Sequence, residues 1–239
     1  MAEAKEPNLG KFLSLCGAAS RRGALELIRA GRVGVNGAVV TDPARRVGSG
    51  EAVTLDGKAL SVPERFHYVM LNKPRGYVCS NADRHAEKLA ADLLRYGYPG
   101  VFLRSAGRLD KESEGLIVFS DDGAYLERVA HPRYMVSKRY IVTVARTISG
   151  ADLARMAEGI RDDGELLRVI AAESLGGNRY MFKLNEGKKR EIRRLCRGCG
   201  APVLRLKRIS LGALELGDLK SGEYRELSAE EVEKSLVPG

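Results

Sequence analysis

Leu9, Phe12, Leu13 and Cys16 recur at helical spacing and Gly17 supplies a stop, so the chain opens with a short helix. Ser20 stands as an N-cap for a second helix over Arg21 to Ala30, whose Leu25, Leu27 and Ile28 turn toward a core before Gly31 ends it. Val33 and Val35 then run into Asn36-Gly37, a strong type I′ hairpin signal, and Val39-Val40 return. A third strand around Val53 and Leu55 stops at Asp56-Gly57. Two helices and a small sheet therefore fill residues 9–60, the short polar stretch 61–66 reads as a linker, and a second domain is expected over 67–239.

That second domain starts on a strand from Tyr68 to Leu71, turns through Lys73-Pro74-Arg75-Gly76 and resumes at Tyr77-Val78. Leu89, Leu93 and Leu94 predict a helix over Glu87 to Leu94, and Leu116 to Phe119 is an apolar run of strand length. A helix from Ala124 to Val129 is broken by His131-Pro132. Tyr140, Val142 and Val144 alternate on one face of a strand beginning at Lys138, and Ser149 caps a helix carrying Leu153 and Met156. Strands are expected over Glu165 to Ala172 and Arg179 to Leu184, separated by a Gly176-Gly177-Asn178 turn. Ile192, Leu195 and Cys196 give Lys188 to Arg197 helical spacing, Val203 to Ile209 is a further strand, and a last helix runs from Ala229 to Leu236. Strands outnumber helices without alternating regularly with them. The fold class is therefore α+β: a small helix-helix-sheet domain followed by a larger, mainly antiparallel mixed-sheet domain.

Charge changes this picture. The chain has 239 residues and a formal net charge of +9. The excess is concentrated: Lys183 to Ser210 holds ten basic and two acidic residues, whereas Leu211 to Gly239 holds three basic and seven acidic. A positive field gathered in one segment points to a polyanion, and nucleic acid is the usual one. The polar start does not read as a signal peptide and no apolar run approaches spanning length, so a cytoplasmic protein with no membrane partner is expected. Four cysteines suit a reducing compartment better than a disulfide framework. Cys196 and Cys199 form a C-x-x-C pair that could suggest zinc or thiol chemistry. It lacks a second pair, its histidines are distant in sequence, and it sits at the end of a helix whose dipole disfavours a thiolate. Structural cysteines are expected, with no metal.

The stretch with most chemical promise is Gly107-Arg108-Leu109-Asp110-Lys111-Glu112-Ser113-Glu114-Gly115-Leu116. It sets a carboxylate between glycines that permit tight backbone, with a buried strand following to hold the loop. Taken alone it also describes a charged surface turn. Arg21 and Arg22 oppose the dipole at a helix N-terminus, which phosphate binding would explain.

Ser20-Arg21-Arg22, Gly31-Arg32-Val33 and Val35-Asn36-Gly37 resemble the small RNA-binding domain named after ribosomal protein S4. The resemblance implies docking on structured RNA through shape and phosphates, with Arg21, Arg22, Arg29 and Arg32 as contacts. Leu71 to Gly76, Gly107 to Asp110 with Glu114-Gly115-Leu116, Lys138 to Tyr140, and Glu186-Gly187-Lys188-Lys189-Arg190-Glu191-Ile192-Arg193-Arg194-Leu195 are similar to the ordered motifs of ribosomal RNA pseudouridine synthases of the RsuA type. Ser113 stands where that family commonly has threonine.

This second resemblance implies a cofactor-independent isomerase with Asp110 as catalytic carboxylate, Tyr140 beneath the target base and Arg193 paired with Asp110. Arg108 would fill the gap left by the flipped nucleotide, and Ile192 or Leu195 would pack beside the base. Lys73, Lys188, Lys189, Arg190, Arg194 and Arg197 complete the expected RNA contacts. The implied partner is ribosomal RNA or a pre-ribosomal particle, with small-subunit RNA slightly favoured and a monomer as the working form. The competing reading is a non-catalytic RNA-binding or ribosome-assembly factor on the same scaffold, which would have no reason to keep Asp110, Tyr140 and Arg193 together.

Overall fold

The Asn8 side chain accepts the Lys11 amide at 2.8 Å and opens α1 (Leu9–Leu15). Ser20 does the same for Gly23 at 3.1 Å and opens α2 (Arg21–Arg29). The structure is a computed structural model, and it describes residues 6–80 and 88–238. After α2 the chain forms β1 (Val33–Val35), β2 (Ala38–Val39), β3 (Val53–Leu55) and β4 (Lys58–Leu60), in sheet order β2-β1-β3-β4. Asn36 and Gly37 both take positive φ (51° and 82°), which is what the I′ hairpin demands. β4 was not expected from the sequence: its Lys58-Ala59-Leu60 is too short and polar to show alternation. Leu9, Leu13, Ala24, Ile28, Val33, Val35, Val47 and Val53 close the core of this part.

The remaining chain builds a larger mixed sheet. Its strands are β5 (Tyr68–Lys73), β6 (Arg104–Ser105), β7 (Glu114–Ser120), β8 (Lys138–Val144), β11 (Ala171–Ser174), β12 (Arg179–Leu184), β13 (Val203–Leu211), β14 (Leu214–Glu215) and β15 (Tyr224–Glu226). The order is β11-β12-β8-β13-β7-β5-β15, with β6 on β7 and β14 on β13. The seam between β13 and β7 is parallel, with Arg208 level with Gly115. Helix α3 (Gly123–Ala130) follows β7 and contributes Tyr125, Leu126 and Val129 to a core with Met70, Leu116, Val118 and Leu211. α4 (Gly150–Glu158) is capped by Ser149, which accepts the Asp152 amide at 3.1 Å, and packs on β11. α5 (Glu191–Gly198) packs on β13, and α6 (Ala229–Lys234) carries a Ser228/Glu231 capping box.

Several elements differ from expectation. The helix over Glu87 to Leu94 is a 3₁₀ turn at Ala90–Leu94; Leu89 is extended and bridges Val78, and Glu87 lies outside the described residues. The strand expected from Glu165 to Ala172 is divided. β10 (Glu165–Leu167) folds back on β9 (Ile160–Asp162) around Asp163-Gly164, and only then does β11 join the main sheet. α5 starts at Glu191 rather than Lys188, because Arg190 adopts left-handed backbone (φ 53°) and Glu191 turns back to accept the Lys188 amide at 3.0 Å.

Candidate active site

Asp110 lies in the loop between β6 and β7, and that loop is tied from three sides. The Ser113 amide donates to the Asp110 carbonyl at 2.9 Å, closing a turn. The Gly76 amide, just after β5, donates to the Lys111 carbonyl at 2.7 Å, and Arg75 donates to Glu112 from Nε (2.9 Å) and Nη2 (2.7 Å). At the loop's far end, Gly115 (φ 104°) is pressed against β13. A Cβ there would lie 2.8 Å from the Arg208 nitrogen and closer still to its carbonyl oxygen. Glycine is thus required by contact as well as by φ.

The Asp110 carboxylate is partly exposed and faces Arg193, a mostly buried residue of α5 whose Nε is 4.0 Å from Oδ2. This is charge proximity rather than a hydrogen bond. The guanidinium is fixed by other means: Nη2 donates to the Glu112 carbonyl at 3.0 Å and to the Ser113 hydroxyl at 3.3 Å, and Nη1 reaches the Val203 carbonyl at 3.5 Å. Nε itself is buried without a partner. Burial pulls the Arg193 pKa down, with Asp110 and Glu112 opposing that shift, and an arginine remains charged under such conditions.

Asp110 and Tyr140 line one open cavity of about 590 Å³, large enough for a nucleotide. Tyr140 comes from β8, level with Phe182 of β12 and Arg208 of β13, and is 9% exposed. Ile192 shares the wall, whereas Leu195 is fully buried and does not reach the cavity. Arg108, exposed, stands on the same wall with Lys188, Lys189 and Arg190. Leu184 and Leu206 complete the apolar part. Neither was singled out from sequence, although the alternation Arg205, Leu206, Lys207 carried the signal.

Three basic residues expected to meet RNA are placed otherwise. Lys73 is fully buried beneath the loop, where Nζ donates to the carbonyls of Pro74 (2.9 Å) and Tyr77 (2.8 Å). Desolvation lowers its pKa, offset by Cys79, Glu114 and Asp110. It braces the turn and cannot touch a phosphate from there. Arg194 is turned onto the β9-β10 hairpin, paired with Asp162 and Glu165. Arg32 is paired with Asp56, its Nε donating at 2.9 Å. Lys188 Nζ is held by Glu186 and the Leu166 carbonyl, both at 2.7 Å, while Arg21, Arg22, Arg29 and Arg197 are exposed.

In and around the cavity wall are three buried or half-buried charges, Arg208, Lys138 and Glu191. Arg208 is 2% exposed, donates from Nε to the Leu116 carbonyl at 2.6 Å and leaves Nη2 without a partner. Burial, assisted by Arg208, pushes Lys138 down to about 8. Burial raises the Glu191 carboxyl, against the Lys188 amide that lowers it. Cys196 is buried with its thiol pushed up to about 12, and burial raises Cys199 as well, so neither favours a thiolate. Among the described residues no group of three or more His, Cys, Asp or Glu side chains is placed to hold a metal ion, and no helix is long and apolar enough to cross a membrane.

Comparison with known proteins supplies independent findings. Residues 67–197 match the family model for RNA pseudouridylate synthase, and residues 9–53 match the S4 domain. An uncharacterized RNA pseudouridine synthase of Aquifex aeolicus (strain VF5) is 38% identical, over 95% of this chain and 94% of its own. The ribosomal small subunit pseudouridine synthase A of Pasteurella multocida (strain Pm70) is 34% identical, over 94% of this chain and 97% of its own. A crystal structure of a pseudouridylate synthase superposes with a TM-score of 0.70 at 31% identity, covering 95% of this chain and 99% of that one.

Proposed function

Because the chain belongs to the RNA pseudouridylate synthase family, we propose that it isomerises uridine to pseudouridine at a site in ribosomal RNA, small-subunit RNA being favoured, with Asp110 as the catalytic carboxylate. The observation that carries this reading is the meeting of Asp110 and the Tyr140 ring at one nucleotide-sized cavity, with the Arg193 charge facing Asp110.

The reaction breaks the bond from uracil N1 to C1′ of the ribose, turns the base, and joins C5 to C1′. The proton on C5 is lost and N1 gains one, so there is no redox change. A base inside a helix is out of reach, and the target uridine must be extruded into the cavity. Tyr140 offers its ring as a platform for the base, with Ile192 and Leu206 on the apolar wall. Asp110 acts on the freed sugar or on the base, as nucleophile or as the anion that stabilises positive charge. Arg193 supplies the opposite charge that faces that carboxylate. Arg108, which lines the cavity, would occupy the space left in the RNA, and Lys189 and Arg190 on the rim would neutralise phosphates.

The N-terminal part contributes affinity through Arg21, Arg22 and Arg29, which its exposed helix surface presents. The test uses ribosomal RNA labelled with tritium at uracil C5. Release from small-subunit RNA is expected, and absence of release from the RNA of both subunits, naked or in assembly particles, overturns the proposal.

A further inference from the structure

Strands β12, β8 and β13 sort their side chains onto two faces of opposite character. Tyr140, Val142, Tyr180, Phe182, Leu206 and Arg208 point to the cavity side and all are buried. On the other side Ile141, Thr143 and Met181 are only half-buried, the state of an antiparallel face that water reaches. Across that open face lies a band of cations. Lys183 is level with Arg139, Lys207 with Ile141, and both Arg179 and Arg205 with Thr143. Arg139 is paired with Glu215 and Arg205 with Glu114. Arg179, Lys183 and Lys207 have no ion-pair partner among the described residues; the acids nearest them in register are Glu114, level with Lys207 and paired with Arg205, and the exposed Glu173, level with Met181.

We propose that this face is a second RNA-binding surface, which takes the phosphate backbone of substrate RNA running on beyond the target nucleotide. It rests on the RNA-modifying reading above. Charge is the first argument, because three unpaired cations on a water-facing sheet suit a polyanion and not an apolar partner. Continuity is the second. Lys183 directly precedes Leu184, which lines the cavity, and the chain then runs through the rim residues Lys188 to Arg190. A strand leaving the cavity over that rim meets Lys183 first. A shallow hollow of about 300 Å³, lined by Ser137, Arg139, Lys183 and Gly212, gives the backbone a place to settle beside it. Arg179 lies four residues from Lys183 on the same strand, roughly 13 Å away, so the band has the reach of several nucleotides.

The test measures binding of a full-length small-subunit ribosomal RNA transcript as a function of salt. The variant Arg179→Gln/Lys183→Gln/Lys207→Gln should weaken binding on the order of 10-fold at about 0.15 M salt and flatten the log–log salt slope by about 2 to 3. A charge-matched control, Arg95→Gln/Arg128→Gln/Lys220→Gln, should change affinity less than about twofold. Equal losses in both triples would show a diffuse charge effect and overturn the proposal, and so would no loss in the first. Should the catalytic reading fail, the wild-type protein releases no tritium, and the comparison of dissociation constants still decides whether this face holds RNA.

Discussion

Arg193 presents its Nε to Asp110 Oδ2 at 4.0 Å while Nη2 donates to the Glu112 carbonyl at 3.0 Å, so the charge facing the carboxylate is held by the very loop that carries it. Asp110 and Arg193 are thus joined through Glu112 and Ser113 rather than by a direct hydrogen bond. Asp110→Asn is expected to lower tritium release on the order of 10³-fold, with RNA affinity within about twofold of wild type. Arg193→Lys keeps a cation but loses the planar fork that reaches Glu112 and Ser113. It should reduce kcat by about 10- to 100-fold with KM little changed. Single-turnover release measurements separate the two, and normal turnover by Asp110→Asn would remove that residue from its role.

Gly115→Ala places a Cβ against the backbone of Arg208 and forces an L residue to φ 104°. A loss of about 3 kcal/mol is expected in denaturant unfolding, from left-handed strain and overpacking together. Gly150→Ala at the start of α4, where a Cβ meets nothing within 4 Å, should be neutral or slightly stabilising.

Lys73 and Arg190 separate bracing from RNA contact. Lys73→Gln should destabilise the fold by about 2 kcal/mol through the two carbonyls it abandons, yet leave the salt slope of RNA binding unchanged. Arg190→Gln should leave the melting temperature alone and flatten that slope by about 0.7 to 0.9. The opposite pairing would return Lys73 to the RNA surface.

Lys138 gives the fold a dependence on alkaline pH. Its folded pKa, about 8, is below the ordinary 10.5, so the unfolded chain binds the proton more tightly between those values. Stability should rise with pH across that window, by up to about 2 to 3 kcal/mol from this group, and the burial penalty is fully present below it. Lys138→Met removes the rise. Unfolding free energies of both proteins at pH 7.5 and 10, set as about those values, measure the difference directly.

In the N-terminal part, Arg21→Gln/Arg22→Gln should raise KM several-fold and lower the salt slope by about 1.4 to 1.8 without changing kcat. An equal fall in kcat would mean that these arginines act on more than affinity.

Local rules with a single strong cause were readable in the chain. Asn36-Gly37 had to turn, Ser20 and Ser149 had to cap, and the alternation of Tyr140, Val142 and Val144 had to bury one face of β8. The β9-β10 hairpin was harder to see, although Asp163-Gly164 is a hairpin dipeptide, because Arg161, Asp162 and Glu165 blur the alternation on either side. Lys73 enters the expected RNA contacts with the motif resemblance alone, and only the fold shows two carbonyls converging on its ammonium. Leu195 and Ile192 share a helical face in sequence, and only the packing of α5 on β13 shows that Ile192 meets the cavity and Leu195 the core. The face bearing Arg179, Lys183 and Lys207 could not be assembled before the register of three strands was known.

The parallel seam at Gly115 also sets a clock. The backbone against which the Asp110 loop is seated belongs to Arg208, roughly 100 residues further on, and a ribosome adding about 5–20 residues per second needs about 5–20 s to supply it. Arg193 is made only 15 residues before Arg208, so for most of that interval the carboxylate has neither its seat nor its cation. Part of the seat of the Asp110 loop is thus supplied late in synthesis, by chain that follows the loop rather than by chain already made.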